Sequence, residues 1–305
     1  MNRREFTQLG AVAAATAMLP ACMAETDDPL GSDPGGSSLS SASFANGGLA
    51  SGAGPRAFAA DGRSFKLAPL RNYFDAFDAN GRRVARVGNP NRPPTTAVGD
   101  VSGPVAAAWN ESSGRLLVLE RGNARVQAFG PSGASLGVVA AVGPASDLAL
   151  DARDGTIYVA ASSSHCIQVL SAGGASVRTL GHFGTDGAGL NGPVSVDLSP
   201  DGALHVVDAG SASVKVFTPD GGFVGSYGDS GGDSARLVGP RAIRFDAKGR
   251  AWVADTFGAV VRVYSSGGRL LSRVLPRLAD GRRAAPVALS LRDDGTMYAA
   301  VVAAA

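Results

Sequence analysis

The sequence predicts an all-β propeller, in which small four-stranded antiparallel sheets repeat around a central channel. Three observations predict it. Glycine is abundant at 42 residues, apolar residues make up 45% and charged residues only 18%, a mixture suited to many short strands joined by tight turns. A proline-headed unit recurs at Pro55, Pro104, Pro144, Pro193, Pro240 and Pro286, with starts about 40 to 49 residues apart, the length of one propeller blade. Inside each unit, strands and glycine turns follow in one fixed order.

Each unit opens with an apolar strand such as Val194-Ser195-Val196-Asp197-Leu198. A hairpin turn follows: Asp61-Gly62, Ser113-Gly114, Asp154-Gly155, Asp201-Gly202, Lys248-Gly249 or Asp294-Gly295. Glycine there supplies the positive φ of a tight turn. The second strands are expected at Arg115 to Glu120, Thr156 to Ala161, Ala203 to Asp208, Arg250 to Asp255 and Thr296 to Val301. A short polar loop leads to a third strand, as at Arg125 to Phe129 or Lys215 to Phe217. A second hairpin turn (Asn80-Gly81, Ser132-Gly133, Gly173-Gly174, Asp220-Gly221, Ser266-Gly267) leads into the fourth.

The units Gly192-Pro193-Val194 … Asp201-Gly202 … Val206-Val207-Asp208 … Val214-Lys215-Val216-Phe217 and Gly239-Pro240 … Val253-Ala254-Asp255 … Val261-Arg262-Val263-Tyr264 resemble the NHL repeat. The lead-in Leu180-Gly181-His182-Phe183-Gly184 … Gly189-Leu190-Asn191-Gly192-Pro193 resembles that family's inter-blade loop. The resemblance covers roughly residues 41–305 and is strongest at 103–275. It implies six blades of four antiparallel strands. The last unit has sequence for only two strands, and Phe44-Ala45-Asn46-Gly47-Gly48-Leu49 resembles Phe217 to Phe223. Residues 41–51 are therefore expected to complete the last blade, so that N- and C-terminal strands share a sheet and no edge stays open. The alternative is a ring of five blades closed by residues 72–87, with residues 41–60 disordered.

Residues 1–22 read as an export signal. Arg3-Arg4 followed by Phe6, then a weakly apolar Ala-rich core, resembles a twin-arginine signal. Leu19-Pro20-Ala21-Cys22 resembles a bacterial lipobox, which would make Cys22 the lipidated first residue. By the same resemblance, Met23 after it favours the outer membrane. The alternative is a soluble periplasmic protein released by cleavage after Ala24. Residues 23–40, with Asp27, Asp28, Pro29, Pro34 and a Gly/Ser cluster, read as a flexible linker. The propeller then spans 41–305.

Loops between second and third strands are expected to share one face with the inter-blade loops, opposite the Asp-Gly hairpins. Variable loops on a fixed scaffold carry binding. That face places Arg71, Glu120, Arg121, Asn123, Ser163, His165, Asp208, Asp255, Thr256 and Phe257 together. Glu120, Asp208 and Asp255 end equivalent second strands. They either cap loop N–H groups within their own blades or form an acidic ring toward a ligand; Ala161 and Val301 interrupt that ring.

Catalytic chemistry has little to stand on. The three histidines, His165, His182 and His205, sit at different levels of two units, which favours packing or surface roles over a metal site. Cys166 beside His165 reads as an inert thiol, and with Cys22 in the signal it has no disulfide partner. No nucleophile elbow, phosphate loop or zincin motif occurs. A net charge of +2 with scattered Lys and Arg argues against nucleic acid. The expectation is a monomeric, non-catalytic binding protein of the cell envelope, without cofactor or metal, held to the membrane by its lipid and contacting a protein, peptide or glycan. The alternative is a propeller lyase or lactonase with a metal-assisted site in the channel.

Overall fold

A computed structural model describes residues 55–91, 93–229, 235–278, 281–292 and 296–303. The signal, the linker and the closing segment 41–51 expected from the sequence lie outside the described residues. No helix among the described residues is long and apolar enough to cross a membrane.

Strands fill the chain in the expected order. The first blade is β1 (Arg56–Phe58), β2 (Ser64–Ala68), β3 (Tyr73–Phe77) and β4 (Arg83–Gly88). The second is β5 (Pro104–Asn110), β6 (Arg115–Glu120), β7 (Arg125–Phe129) and β8 (Ser135–Ala141). The third is β9 (Asp147–Leu150), β10 (Ile157–Ala161), β11 (Cys166–Leu170) and β12 (Ser176–Leu180). A short parallel pair, β13 (His182–Phe183) and β14 (Gly189–Leu190), ties the connection that follows. The fourth blade is β15 (Pro193–Leu198), β16 (Leu204–Asp208), β17 (Ser213–Phe217) and β18 (Phe223–Tyr227). The fifth is β19 (Pro240–Phe245), β20 (Ala251–Asp255), β21 (Val260–Tyr264) and β22 (Leu270–Val274). A last pair, β23 (Ala284–Leu291) and β24 (Met297–Ala303), forms a two-stranded sheet.

The count corrects the expectation. Five blades have four strands, not six, and the last sheet has two. Five four-stranded blades match the count of the alternative but not its detail, because residues 56–58, within the stretch it set aside as disordered, form the innermost strand of the first blade. The innermost strands β1, β5, β9, β15, β19 and β23 each touch the next, and β23 touches β1. The ring thus has six inner positions, and among the described residues one of them carries two strands rather than four. Pro144 does not open a strand; β9 starts three residues later. Of the two glycines near the last second hairpin, Gly268 rather than Gly267 takes the positive φ.

Packing follows from strand alternation. In the first blade Ala57, Phe65, Leu67, Phe74 and Ala76 face the second blade and meet Trp109, Leu116, Val118 and Phe129. Equivalent apolar seams join blades two and three, three and four, and four and five. The fifth blade meets the two-stranded sheet through Trp252, Ala254, Val261, Val263, Leu289, Met297 and Val301. The remaining seam, between the two-stranded sheet and the first blade, is built differently. There Phe58 stacks on Tyr298 with ring centroids 5.1 Å apart, and the cations Arg56 and Arg292 lie over the Tyr298 ring.

Antiparallel order places the turns after β1, β5, β15 and β19 at the same end as the turns after β3, β7, β17 and β21. The second-to-third loops and the inter-blade connections gather at the other end, the loop face.

Candidate functional site

The loop face is held by one device repeated three times. The Ser102 amide donates to Glu120 (3.0 Å), the Asn191 amide to Asp208 (2.7 Å) and the Gly239 amide to Asp255 (2.7 Å). Each carboxylate therefore grips the chain one or two residues before a blade-opening proline. All three are fully buried, and a buried carboxylate needs such donors. They brace loops and do not form a ring toward a ligand.

Third strands extend the brace. Arg125 pairs with Glu120 at 3.0 Å and donates to the carbonyls of Thr96, Ala97 and Asp100. Asn123 donates to Glu120 and to the Thr95 carbonyl. Lys215 donates to the carbonyls of Asp186 and Gly189, and Arg262 pairs with Asp255. Each cation fastens a connection or a carboxylate of its own blade. Sequence reasoning passed over these lysine and arginine positions because a strand cation reads as solvent-facing until its partner loop is placed.

Each second-to-third loop contains one residue in the left-handed region: Asn72, Ala124, His165, Ala212 and Ala259, with φ between 48° and 53°. His165 is thus a turn residue and not a strand residue. Its Nδ1 accepts from the Gly192 amide and its ring packs on Phe183. His182 is exposed beside Asp186. His205 is buried, touching Phe245 and Tyr227, and burial pulls its pKa down to about 4 against the attraction of Asp201. The three histidines do not converge, and no group of three or more His, Cys, Asp or Glu among the described residues could hold a metal ion. Burial pushes the Cys166 thiol above its ordinary pKa, away from the thiolate that nucleophilic chemistry needs.

The exposed side chains of the loop face include cations and an aromatic ring, beside the carboxylate of Asp186. Phe257 is 71% exposed, and the exposed Arg241 sits over its ring. Arg71 and Arg121 are exposed as well; Arg121 leans toward the Ala145 carbonyl and Ser146. Thr256 is turned inward and donates to the Pro286 carbonyl. Arg121 and Arg241 rim a cavity of about 280 Å³ at this mouth of the channel.

Deeper in the channel lies a polar cluster that sequence reasoning missed altogether. Arg244 forks onto Asp147 at 3.0 and 3.1 Å, and Ser195 donates to Asp147 at 2.5 Å. Burial opposes the charge of Arg244, but Asp147 and Asp197 outweigh it and hold the guanidinium pKa above its ordinary value. Asp197 accepts from the Phe245 amide (2.8 Å), and burial raises its pKa to about 6 despite Arg244. Beyond this plug the channel opens at the hairpin end into a second chamber of about 530 Å³, lined by Arg56, Trp109, Asp197, Arg244, Ser290 and Arg292 among others. These residues are scattered over five sheets, so no linear motif announces them.

No family model matches the chain, and no curated protein matches it. Solved structures do. A streptogramin B lyase aligns with TM-score 0.60 at 14% identity, covering 82% of this chain and 90% of that one. The fold is a β-propeller. A catalytically inactive variant of virginiamycin B lyase from Staphylococcus aureus, with quinupristin, aligns at TM-score 0.57 and 14% identity over 80% of this chain and 78% of that one. Hydrazine synthase of Kuenenia stuttgartiensis aligns at TM-score 0.56 and 16% identity over 83% and 96%. At such identities the likeness extends to the fold alone.

Proposed function

We propose that this chain is an NHL-repeat propeller of the bacterial cell envelope, exported by the twin-arginine route, anchored through a lipid on Cys22, and binding a protein, peptide or glycan without catalysis. The observation that carries the binding reading is the division of labour on the loop face. The strand-end carboxylates Glu120, Asp208 and Asp255 are consumed in bracing loops, while Phe257, Arg241, Arg121 and Arg71 stay exposed on that rigid frame. Aromatic and arginine side chains are the types that dominate binding energy at interfaces. The test is capture from envelope extracts with the wild-type chain and with a Phe257→Ala, Arg121→Ala double variant. Loss of the captured partner in the variant is expected; undiminished capture would refute the loop face as the binding surface. In the same cells, Cys22→Ala is expected to move the protein from the membrane to the soluble fraction.

A second reading, a lyase or lactonase working in the channel, draws on Asp197, whose raised pKa suits an acid or a base, and on the lyases among the similar structures. Stoichiometric zinc or calcium in the purified protein would favour its metal-assisted form.

A further inference from the structure

The three most exposed large apolar side chains among the described residues all stand on the loop face. Leu70, 91% exposed, lies in the second-to-third loop of the first blade, next to the exposed Arg71. Phe183, 69% exposed, stands between the third and fourth blades with its ring against His165. Phe257 tops the corresponding loop of the fifth blade, packed over Gly239 beside the exposed Val238, with Arg241 over its ring. One exposed apolar side chain is ordinary on a protein surface. Three at the tips of separate loops on one face call for a partner. Each tip is held in place from behind. Asn72 accepts from the Gly103 amide at 2.8 Å, Lys215 fastens the connection that carries Phe183, and Asp255 braces the chain beneath Phe257.

The chain also enters the propeller at this end. Pro55, the first described residue, lines the cavity at the loop-face mouth, and β1 runs from there toward the hairpin end. Residues 23–54 therefore join the domain on the side of the three tips. In the lipid-anchored form proposed above, the tether pulls this face, rather than the hairpin end, toward the bilayer.

Three tips on different blades around one mouth define a plane, whereas a peptide or a small ligand would reach a single tip. A bilayer offers such a plane, apolar beneath its headgroups. Arg71 beside Leu70 and Arg241 over Phe257 place a cation at headgroup level next to an apolar tip. The charges of the face are mixed, since Asp186 pairs with His182 at 3.2 Å beside Phe183, so the apolar tips carry the contact.

From these features we infer that, given the lipid on Cys22, the loop face docks onto the phospholipid surface with Leu70, Phe183 and Phe257 dipping into it. Any protein, peptide or glycan taken up by this face is then met at the membrane. Contact through three tips is weak by itself. The tether sustains it by keeping the local concentration of the surface on the order of millimolar. The lipid-free chain accordingly leaves the membrane fraction in cells yet binds at millimolar lipid.

The full chain carrying Cys22→Ala, mixed with vesicles of phosphatidylethanolamine and phosphatidylglycerol at millimolar lipid, tests the face without the anchor. Trp109 and Trp252 are buried, so an added surface tryptophan reports contact. With Leu70→Trp, vesicles are expected to shift the emission to the blue, and brominated acyl chains to quench it. Val177→Trp, on the outer strand β12, should show neither change. Leu70→Ser, Phe183→Ser and Phe257→Ser together should weaken vesicle binding at least about tenfold, with the unfolding temperature showing that the variant folds. Val84→Ser with Val177→Ser should leave binding as it is. No vesicle binding, equal binding by the triple variant, or equal quenching at Leu70→Trp and Val177→Trp would overturn the docking. An envelope protein captured through the tips while Leu70→Trp stays unquenched would overturn it in favour of a protein partner. Wild-type chain in the soluble fraction of cells would refute the anchor, and tip-dependent vesicle binding would still uphold the docking surface.

Discussion

Asp197 shows how one residue in the channel sets a pH dependence. In the folded protein its carboxyl titrates at about 6, against 3.8 for the free side chain, because burial disfavours the charge. Between those values the folded state holds a proton that the unfolded state has released, so stability falls as pH rises from about 4 to about 6 and stays lower above that. Asp197→Asn keeps an acceptor for the Phe245 amide and removes the charge. The variant should be more stable than wild type at pH 7 by up to about 3 kcal/mol, with the difference gone near pH 3.5. Denaturant titrations across pH measure this, and a difference that does not shrink on acidification would refute it. Nothing in the sequence around Asp197 signals the shift. An acidic residue on an innermost strand looks like an interruption of an apolar run, and only the ring brings Arg244 and Phe245 to it.

The five left-handed loop positions make the element scale testable. Asparagine takes that conformation with little strain; alanine at 124, 212 and 259 does so at a cost, because its Cβ crowds the backbone. Ala212→Gly is expected to stabilise the protein by about 0.5–1 kcal/mol, read as a small rise in unfolding temperature. Gly174→Ala should do the reverse. Its φ is +88°, and an added Cβ would lie 2.1 Å from the Val139 carbonyl oxygen of the neighbouring blade. The hairpins themselves were legible, since Asp-Gly and Asn-Gly pairs state their turn chemistry locally. The left-handed alanines were not, because alanine carries no local sign of the conformation the ring imposes on it. The loop-bracing carboxylates stood in between: their equivalence was visible in the repeat, but their amide partners were not.

For the whole molecule, the sixth position, with two strands among the described residues, is where the ring is expected to be weakest. Among the described residues no strand pairs with the outer side of β24, whereas β20, its counterpart in the fifth blade, is paired on both sides. Amides of Met297–Ala303 should therefore exchange with solvent at least about tenfold faster than those of Ala251–Asp255. Equal protection would mean that another strand covers β24, the part expected of residues 41–51. Repeat spacing made the ring readable because every blade repeats the same local order. The number of complete blades was less readable, since it depends on how distant ends of the chain meet, and nothing in a repeat unit encodes that meeting.

Adjacent innermost strands are joined by side chains reaching to backbone: Asp147 accepts from the Val196 amide, Ser195 from Ile243, Asp197 from Phe245, and Ser290 from Arg56. Where a ladder would fix strands at one spacing, here the reach of a Ser or Asp side chain sets it. The bore of the ring is thus gauged by the length of four short spokes. A longer residue at any of them would change the aperture before it touched a ligand.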